Sequence, residues 1–264
     1  MVLMTANDDE KIFLEERRSQ IVVLLKKKQR ASVTELSQVF RIGEATIRRD
    51  LSDLEERGLV QRTHGGVLIM GNIAFESSVK DRATQNREIK ERIARFIAHF
   101  VHDNETLMID AGSTTFEIAR MLRGKKGLVV VTNSPSVAEE LVNGDDCQVI
   151  VTGGTLREAT RAMVGPVAEY TVRQFRADRV ILGMSALKVD EGLFTVNDQE
   201  AEVKRTMIKS GKEVIIAMDS SKIGKVMYSF VCDFSPIDKL VTDNLIPLEE
   251  MKKIEEQGVE VIVV

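Results

Sequence analysis

One short loop carries the clearest chemistry in this chain. Asp110-Ala111-Gly112-Ser113-Thr114-Thr115 follows the apolar run TLMI and precedes an amphipathic stretch. A strand, then small and hydroxylated residues, then a helix start is an arrangement that binds phosphate. Glycine lets the backbone approach, free N–H groups at the helix start point at the anion, and hydroxyls add donors. A plain helix cap would also account for the loop, and the lysine and glycine frame of a nucleotide-binding P-loop are missing. Four more polar loops follow apolar runs in the same way: Thr132-Asn133-Ser134, Thr152-Gly153-Gly154-Thr155, Gly183-Met184-Ser185 and Asp219-Ser220-Ser221-Lys222. In a parallel sheet such loops collect at the carboxyl edge of the strands, where ligands bind. Glu200, Glu202 and Lys204 fall on a helical stretch, which reads either as part of that edge or as a solvated charged face.

The second constellation is basic. On a helical wheel over residues 44–57, Ile47, Leu51 and Leu54 share one face, while Ala45, Thr46, Arg48, Arg49 and Ser52 spread over the other. A helix that packs by an apolar stripe and presents small and arginine side chains outward suits a DNA major groove, where guanidinium forks reach guanine edges or phosphates. An ordinary solvated helix is the competing reading. The surroundings favour the first. A helix over 14–28 carries Ile21, Leu24 and Leu25 inward. Ser32 and Glu35 form an S-x-x-E capping box that opens a second helix, with Leu36, Val39 and Phe40 expected inward. A turn at Arg41-Ile42-Gly43 leads into the third. The stretch RGLVQRTHGGVLIM then reads as a hairpin about Gly65-Gly66, a wing that places Arg62 and His64 near a DNA backbone.

These elements belong to a chain of 264 residues that is 43% hydrophobic, enough apolar material to bury a core in two domains. Its net charge of −4 is uneven: residues 17–64 hold 11 Lys+Arg against 6 Asp+Glu, a local +5 that leaves −9 elsewhere. An acidic protein with one basic segment fits a chain in which only that segment meets nucleic acid. The start of the chain lacks the basic-then-apolar order of a signal peptide, and no run nears the ~20 apolar residues of a membrane span, so a cytoplasmic protein is expected. Cys147 and Cys232 have no ligand spacing and read as small buried hydrophobes; no metal or cofactor is expected. From residue 88 on, seven apolar runs alternate with helical stretches (TLMID, LVVVT, QVIVT, RVILG, EVIIAMD, KLVTD and VEVIVV), the pattern of βα units and a mainly parallel sheet. The expected boundaries are 1–71 for a DNA-binding domain, 72–87 for a polar connector and 88–264 for an α/β domain.

The segment VTELSQVFRIGEATIRRDLSDLEERGLVQRTHGGV resembles the N-terminal domain of DeoR-family regulators, matching at Thr46 to Leu51, Gly58, Leu59, Arg62, His64, Gly65 and Gly66. Gly43 stands where the family usually has a capping serine. The likeness continues through IDAGSTT, VVVTNS, VTGGTLR, MVGPVA, DRVILGMSAL, DQEAEVKRTMI and AMDSSKIG. It implies a winged helix-turn-helix joined to an α/β sensor domain whose fold is similar to ribose-5-phosphate isomerase, glucosamine-6-phosphate deaminase and coenzyme A transferases. It further implies a repressor of a carbohydrate-utilisation operon, controlled by a phosphorylated sugar and working on operator DNA as a homo-oligomer. Carried over by position, Asp110, Gly112, Ser113, Thr114 and Thr115 would hold the phosphate end. Asn133, Gly153, Gly154, Gly183, Lys204, Asp219 and Lys222 would line the pocket. The rival reading is an active sugar-phosphate isomerase or deaminase with an added DNA-binding domain. Against it, Gly183-Met184-Ser185-Ala186-Leu187 carries no carboxylate where the isomerases have an acidic cluster.

Overall fold

The computed structural model describes residues 14, 17–25, 28, 30–56, 60–63, 66–69, 79–144 and 146–264. It divides into two units, Met1–Phe75 and Glu76–Val264.

In the first unit, helical residues 17–25 (α1) and strand β1 (Arg30–Ala31) lead to α2 (Val33–Phe40) and α3 (Glu44–Glu56). Ser32 caps α2 by accepting the Glu35 N–H at 3.0 Å. The turn into α3 is held by Arg41 in the left-handed region (φ 55°) and by Ser37 Oγ donating to the Ile42 carbonyl at 2.6 Å. Gly43 opens α3 with its carbonyl, which accepts the Thr46 and Ile47 N–H groups. The core joins Ile21, Leu25, Leu36, Ile47, Leu51 and Leu54 with Val60 and Val67 of the hairpin. Val39 departs from expectation and is exposed. The inward line of α2 runs through Val33, Leu36 and Phe40, and Val39 lies about 100° off its centre. Strands β2 (Val60–Thr63) and β3 (Gly66–Ile69) pair antiparallel, with β1 added on the far side of β3. Gly66 is required there: its φ is 154°, and a Cβ would stand 2.3 Å from the Ala31 carbonyl oxygen.

The second unit opens with α4 (Val79–Thr84) and α5 (Arg87–Phe100). The stretch read as a featureless connector therefore differs: its second half is a helix within this unit. Val79 donates its N–H to the Ala159 carbonyl at 2.8 Å. Next come β4 (Thr106–Ile109), α6 (Ser113–Met121), β5 (Leu128–Thr132), α7 (Pro135–Val142) and β6 (Cys147–Val151). A short hairpin of β7 (Thr155–Leu156) and β8 (Met163–Val164) precedes α8 (Pro166–Arg173) and β9 (Ala177–Leu182). Beyond these lie β10 (Ala186–Lys188), β11 (Gly192–Thr195), α9 (Asp198–Ile208), β12 (Gly211–Ala217), β13 (Ser229–Cys232), β14 (Lys239–Thr242), α10 (Leu248–Glu256) and β15 (Glu260–Val263).

Seven of these strands form one sheet in the order β15-β14-β12-β9-β4-β5-β6, with every pairing parallel. Helices cover both faces, so the central strands are buried on each side and read as unbroken Val/Ile runs. One core, with Ile93, Ile97, Ile118 and Val137, lies between the sheet and α5, α6 and α7; the other, with Ala168, Val172, Val203 and Met207, lies on the opposite face under α8 and α9. β10, β11 and β13 make a separate antiparallel sheet beside α9. The two cysteines are half-buried rather than buried; burial pushes both thiols up, Cys232 to about 12.

Candidate functional site

The inward side of α3 is anchored by charge as well as by apolar packing. Asp50 is 1% exposed. Arg17 donates to its two oxygens from Nε and Nη2 at 2.7 and 3.1 Å, and Arg18 adds Nε at 3.2 Å. Arg18 also reaches Asp53 at 2.6 Å. This clamp fixes the rotation of α3 about its axis relative to α1, and so fixes which side chains face outward. Ala45, Arg48 and Arg49 are exposed there, and Thr46 and Ser52 half-buried. Arg48 is held by Glu44 one turn back at 3.0 Å. Arg62 is exposed on β2, and its N–H donates to Glu55 Oε1 at 2.8 Å, tying the hairpin to the end of α3. His64 and Gly65 lie outside the described residues. The face combines close backbone approach at Ala45 with guanidinium groups of full charge, the requirements of groove binding.

The second unit gathers its polar loops at the carboxyl edge of β4, β9 and β12, around a small polar cleft. Gly112, Ser113 and Thr114 at the start of α6 form one wall; Gly183, Ser185, Thr195, Glu200, Lys204, Lys222 and Arg82 contribute the rest. No side chain caps α6. Thr114 is 3% exposed, and its Oγ1 has no hydrogen-bond partner among the described residues. An uncapped helix start next to an unpartnered hydroxyl is a donor set awaiting an acceptor.

Asp110 plays a different part. One of its oxygens pairs with Lys204 Nζ, and the other accepts the Gly183 N–H at 3.0 Å. Lys204 also donates to the Gly183 carbonyl at 2.8 Å. The carboxylate thus braces the ends of β4 and β9 and a residue of α9 against one another. Thr115 Oγ1 donates to the Asp110 and Gly112 carbonyls at 2.9 and 3.1 Å, which sets the loop. Asp219 supports Lys222 at 3.7 Å and accepts from Asn86 Nδ2 at 3.1 Å and from Ser221 Oγ. Burial drives the Lys222 ammonium below its ordinary value; Asp219 opposes this, while Arg82 and Lys204 add to it. Glu200 accepts from Arg157 and Thr160, with Thr195 Oγ1 at 3.5 Å. A second, more open pocket shares the Gly112-Ser113 wall and adds Ser134, Ser136 and Thr160 hydroxyls to the apolar surfaces of Val79, Ala83 and Phe116.

The DeoR C terminal sensor domain family matches residues 85–244, and the DeoR-like helix-turn-helix domain matches residues 17–72. The chain belongs to the DeoR family of transcriptional regulators. It is 37% identical to the HTH-type transcriptional regulator GlpR of Haloferax volcanii, over 94% of this chain and 96% of that one. The transcriptional repressor AccR of Agrobacterium fabrum is 35% identical over 87% and 90% of the two chains. The glycerol-3-phosphate regulon repressor of Escherichia coli K12 is 34% identical over 84% and 87%. A solved ribose-5-phosphate isomerase in complex with phospho-erythronic acid superposes with a TM-score of 0.40 and 14% identity, over 52% of this chain and 54% of that one; so distant a likeness says nothing of a shared ligand. Among the described residues of this DeoR-family regulator, no helix is long and apolar enough to cross a membrane.

Of the residues expected at the sensor site, Gly112, Ser113, Thr114, Gly183, Lys204 and Lys222 come together on the cleft wall. Asp110, Thr115 and Asp219 stand behind it as braces. Asn133, Gly153 and Gly154 are not on it. Asn133 ties the end of β5 to β8, donating from Nδ2 to the Met163 carbonyl at 3.1 Å and accepting the Met163 N–H on its own carbonyl at 2.7 Å. Gly153 and Gly154 make the turn after β6 in left-handed conformations, φ 69° and 107°, where a Cβ on Gly154 would stand 2.5 Å from the Val164 carbonyl oxygen. Their glycines answer to packing against α8. Sequence reasoning missed Arg82 and Thr195; it placed Ser185 in a strand-ending loop and left Glu200 open between that edge and a solvated face. Arg82 lies in a stretch whose polarity hid a helix, and the others sit beside residues far apart in the chain.

Proposed function

We propose that this regulator represses a carbohydrate-utilisation operon from the cytoplasm, reading operator DNA through α3 and the hairpin as a homo-oligomer. A phosphorylated sugar seated at the carboxyl edge of the sheet alters that binding. The observation that carries the effector is the cleft itself. It joins an uncapped helix start, the unpartnered Thr114 hydroxyl and the Arg82 guanidinium to Lys204 and Lys222, which Asp110 and Asp219 hold in place, a donor set suited to a phosphate. The adjoining pocket supplies hydroxyls for the body of a sugar. The name of the Escherichia coli relative, a glycerol-3-phosphate regulon repressor, is in keeping with a phosphorylated polyol or sugar as the controlling chemistry.

Catalysis is no part of this reading. A general base needs a carboxylate or imidazole free to take a proton from substrate. Here Asp110 is engaged by Lys204 and Gly183, and Glu200 by Arg157 and Thr160. The test is a thermal-shift screen against sugar phosphates followed by calorimetry on Ser113→Asp, which places a carboxylate where the phosphate sits. The hit should bind the parent protein and fail to bind the variant, while operator affinity is unchanged. Wild-type effector affinity in Ser113→Asp would move the phosphate site elsewhere, and turnover of the hit in a coupled isomerase assay would restore the enzyme reading.

A further inference from the structure

The charges around the cleft do not balance, and the imbalance singles out one residue. Asp110 is met by Lys204, Asp219 by Lys222 and Glu200 by Arg157. Arg82 is a fourth cation on the same wall. Its Nε and Nη2 are buried and have no hydrogen-bond partner among the described residues. A guanidinium cannot shed its charge in a protein, and burying its donors without acceptors is costly. Such a group is retained where an anion completes it.

Arg82 differs from the other cleft residues in where it is mounted. It sits on α4, the first described helix after strand β3 of the hairpin, with residues 70–78 between them. Several hydrogen bonds fasten α4 and the turn after it to their unit. Val79 N–H donates to the Ala159 carbonyl at 2.8 Å, within the same β7–β8 loop whose Arg157 and Thr160 hold Glu200. Lys90 Nζ donates to the Arg82 and Gln85 carbonyls, and Asn86 Nδ2 reaches Asp219, the partner of Lys222. Val79 and Ala83 line the second pocket, so α4 borders both compartments. Two of these bonds end on supports of the cleft: the loop that holds Glu200 and the carboxylate that pairs with Lys222.

The geometry points to Arg82 as an anion ligand carried on a strap: an anion bound between Arg82 and the start of α6 draws α4 against the cleft, and so acts on the chain that leads to the DNA-binding unit. This rests on the reading of the cleft as an effector site and adds to it the residue that reports occupancy. The bidentate fork is the relevant property, because it joins the anion to a helix in a defined orientation, which the point charge of a lysine does not.

Hydrogen exchange read by mass spectrometry on the full chain tests this, with inorganic phosphate as the probe and chloride at equal ionic strength as the control. Phosphate should slow exchange in residues 111–116 and in residues 79–86 together. In Arg82→Gln the slowing of 79–86 should vanish, and protection of 111–116 should need on the order of tenfold more phosphate. Arg82→Lys should fall between, and unchanged exchange of the central strands without phosphate establishes that both variants are folded. Slowing confined to 111–116 in the parent protein, or equal slowing of 79–86 in Arg82→Gln, overturns the strap while leaving the anion cleft in place. If no segment responds to phosphate or to any sugar phosphate, the effector reading itself fails and the strap with it.

Discussion

Neighbouring residues of one motif have opposite duties in this molecule. Asp50 is buried between Arg17 and Arg18, whereas Arg49, one position earlier, is exposed. Asp50→Asn removes the charge that two part-buried arginines face, so urea unfolding of the first unit should show a loss of roughly 2–4 kcal/mol. Arg49→Ala should leave that stability within about 0.5 kcal/mol and instead weaken operator binding by ~1–3 kcal/mol, read by titration. Loss of stability without loss of binding in Arg49→Ala would reverse the assignment. In the sensor unit Lys90 makes a pH prediction. Its pKa is lowered to about 8 by burial and by the Lys222 ammonium, with Asp219 opposing, against an ordinary 10.5. Above pH 8 the unfolded chain keeps a proton that the native state releases, so this group makes stability rise with pH. Cys232, whose thiol is raised from 9.0 to about 12, acts in the opposite sense above pH 9. Between pH 8 and 9, then, denaturant unfolding should show a gain on the order of 1 kcal/mol that Lys90→Met lacks. A flat or falling profile in the parent protein would contradict the buried, charge-crowded placement of Lys90.

At the scale of elements, what the sequence disclosed depends on how far each signal reaches along the chain. All seven Val/Ile-rich runs became the seven strands of the parallel sheet, the central ones because strands buried on both faces need continuous apolar residues. The helix-turn-helix was equally legible from Ser32, Gly43 and the Ile47-Leu51-Leu54 stripe. The small sheets were not. β7, β8 and β10 are two or three residues long, too short for an alternating pattern to show in the sequence. Nor did the sequence disclose α4, six residues of which four are polar and which lack a stripe, or the Asp110–Lys204 pair, separated by 94 positions. Gly153 and Gly154 misled for the opposite reason: a glycine pair in a strand-ending loop fits ligand approach and tight packing equally well. Gly66 gives an element-scale test of that distinction. Its Cβ-free approach to Ala31 joins β1 to β3, so Gly66→Ala should separate these strands and destabilise the first unit by more than ~1 kcal/mol. Circular dichroism melting measures it; an unchanged midpoint would mean that β1 contributes nothing to the hairpin.

For the whole molecule, the two sites must obey one thermodynamic constraint. If an effector in the cleft lowers operator affinity by some factor, operator DNA lowers effector affinity by the same factor, whatever route carries the coupling. Couplings of this kind are typically about 1–3 kcal/mol, or 5–150-fold. The route proposed for this chain runs through a single connection, residues 70–78 between β3 and α4, and that makes the coupling separable from both binding events. Lengthening 70–78 with a flexible glycine-serine insertion should leave operator affinity nearly intact, since each doubling of such a loop costs only ~0.6 kcal/mol in closure entropy. Effector affinity for the DNA-free protein should also be unchanged. What should fall toward unity is the ratio between effector affinity with and without operator, measured by calorimetry on both forms. If the insertion preserves that ratio, occupancy of the cleft reaches the DNA-binding unit by contacts other than the chain that begins at α4, and the strap is a ligand-binding element with no part in transmission.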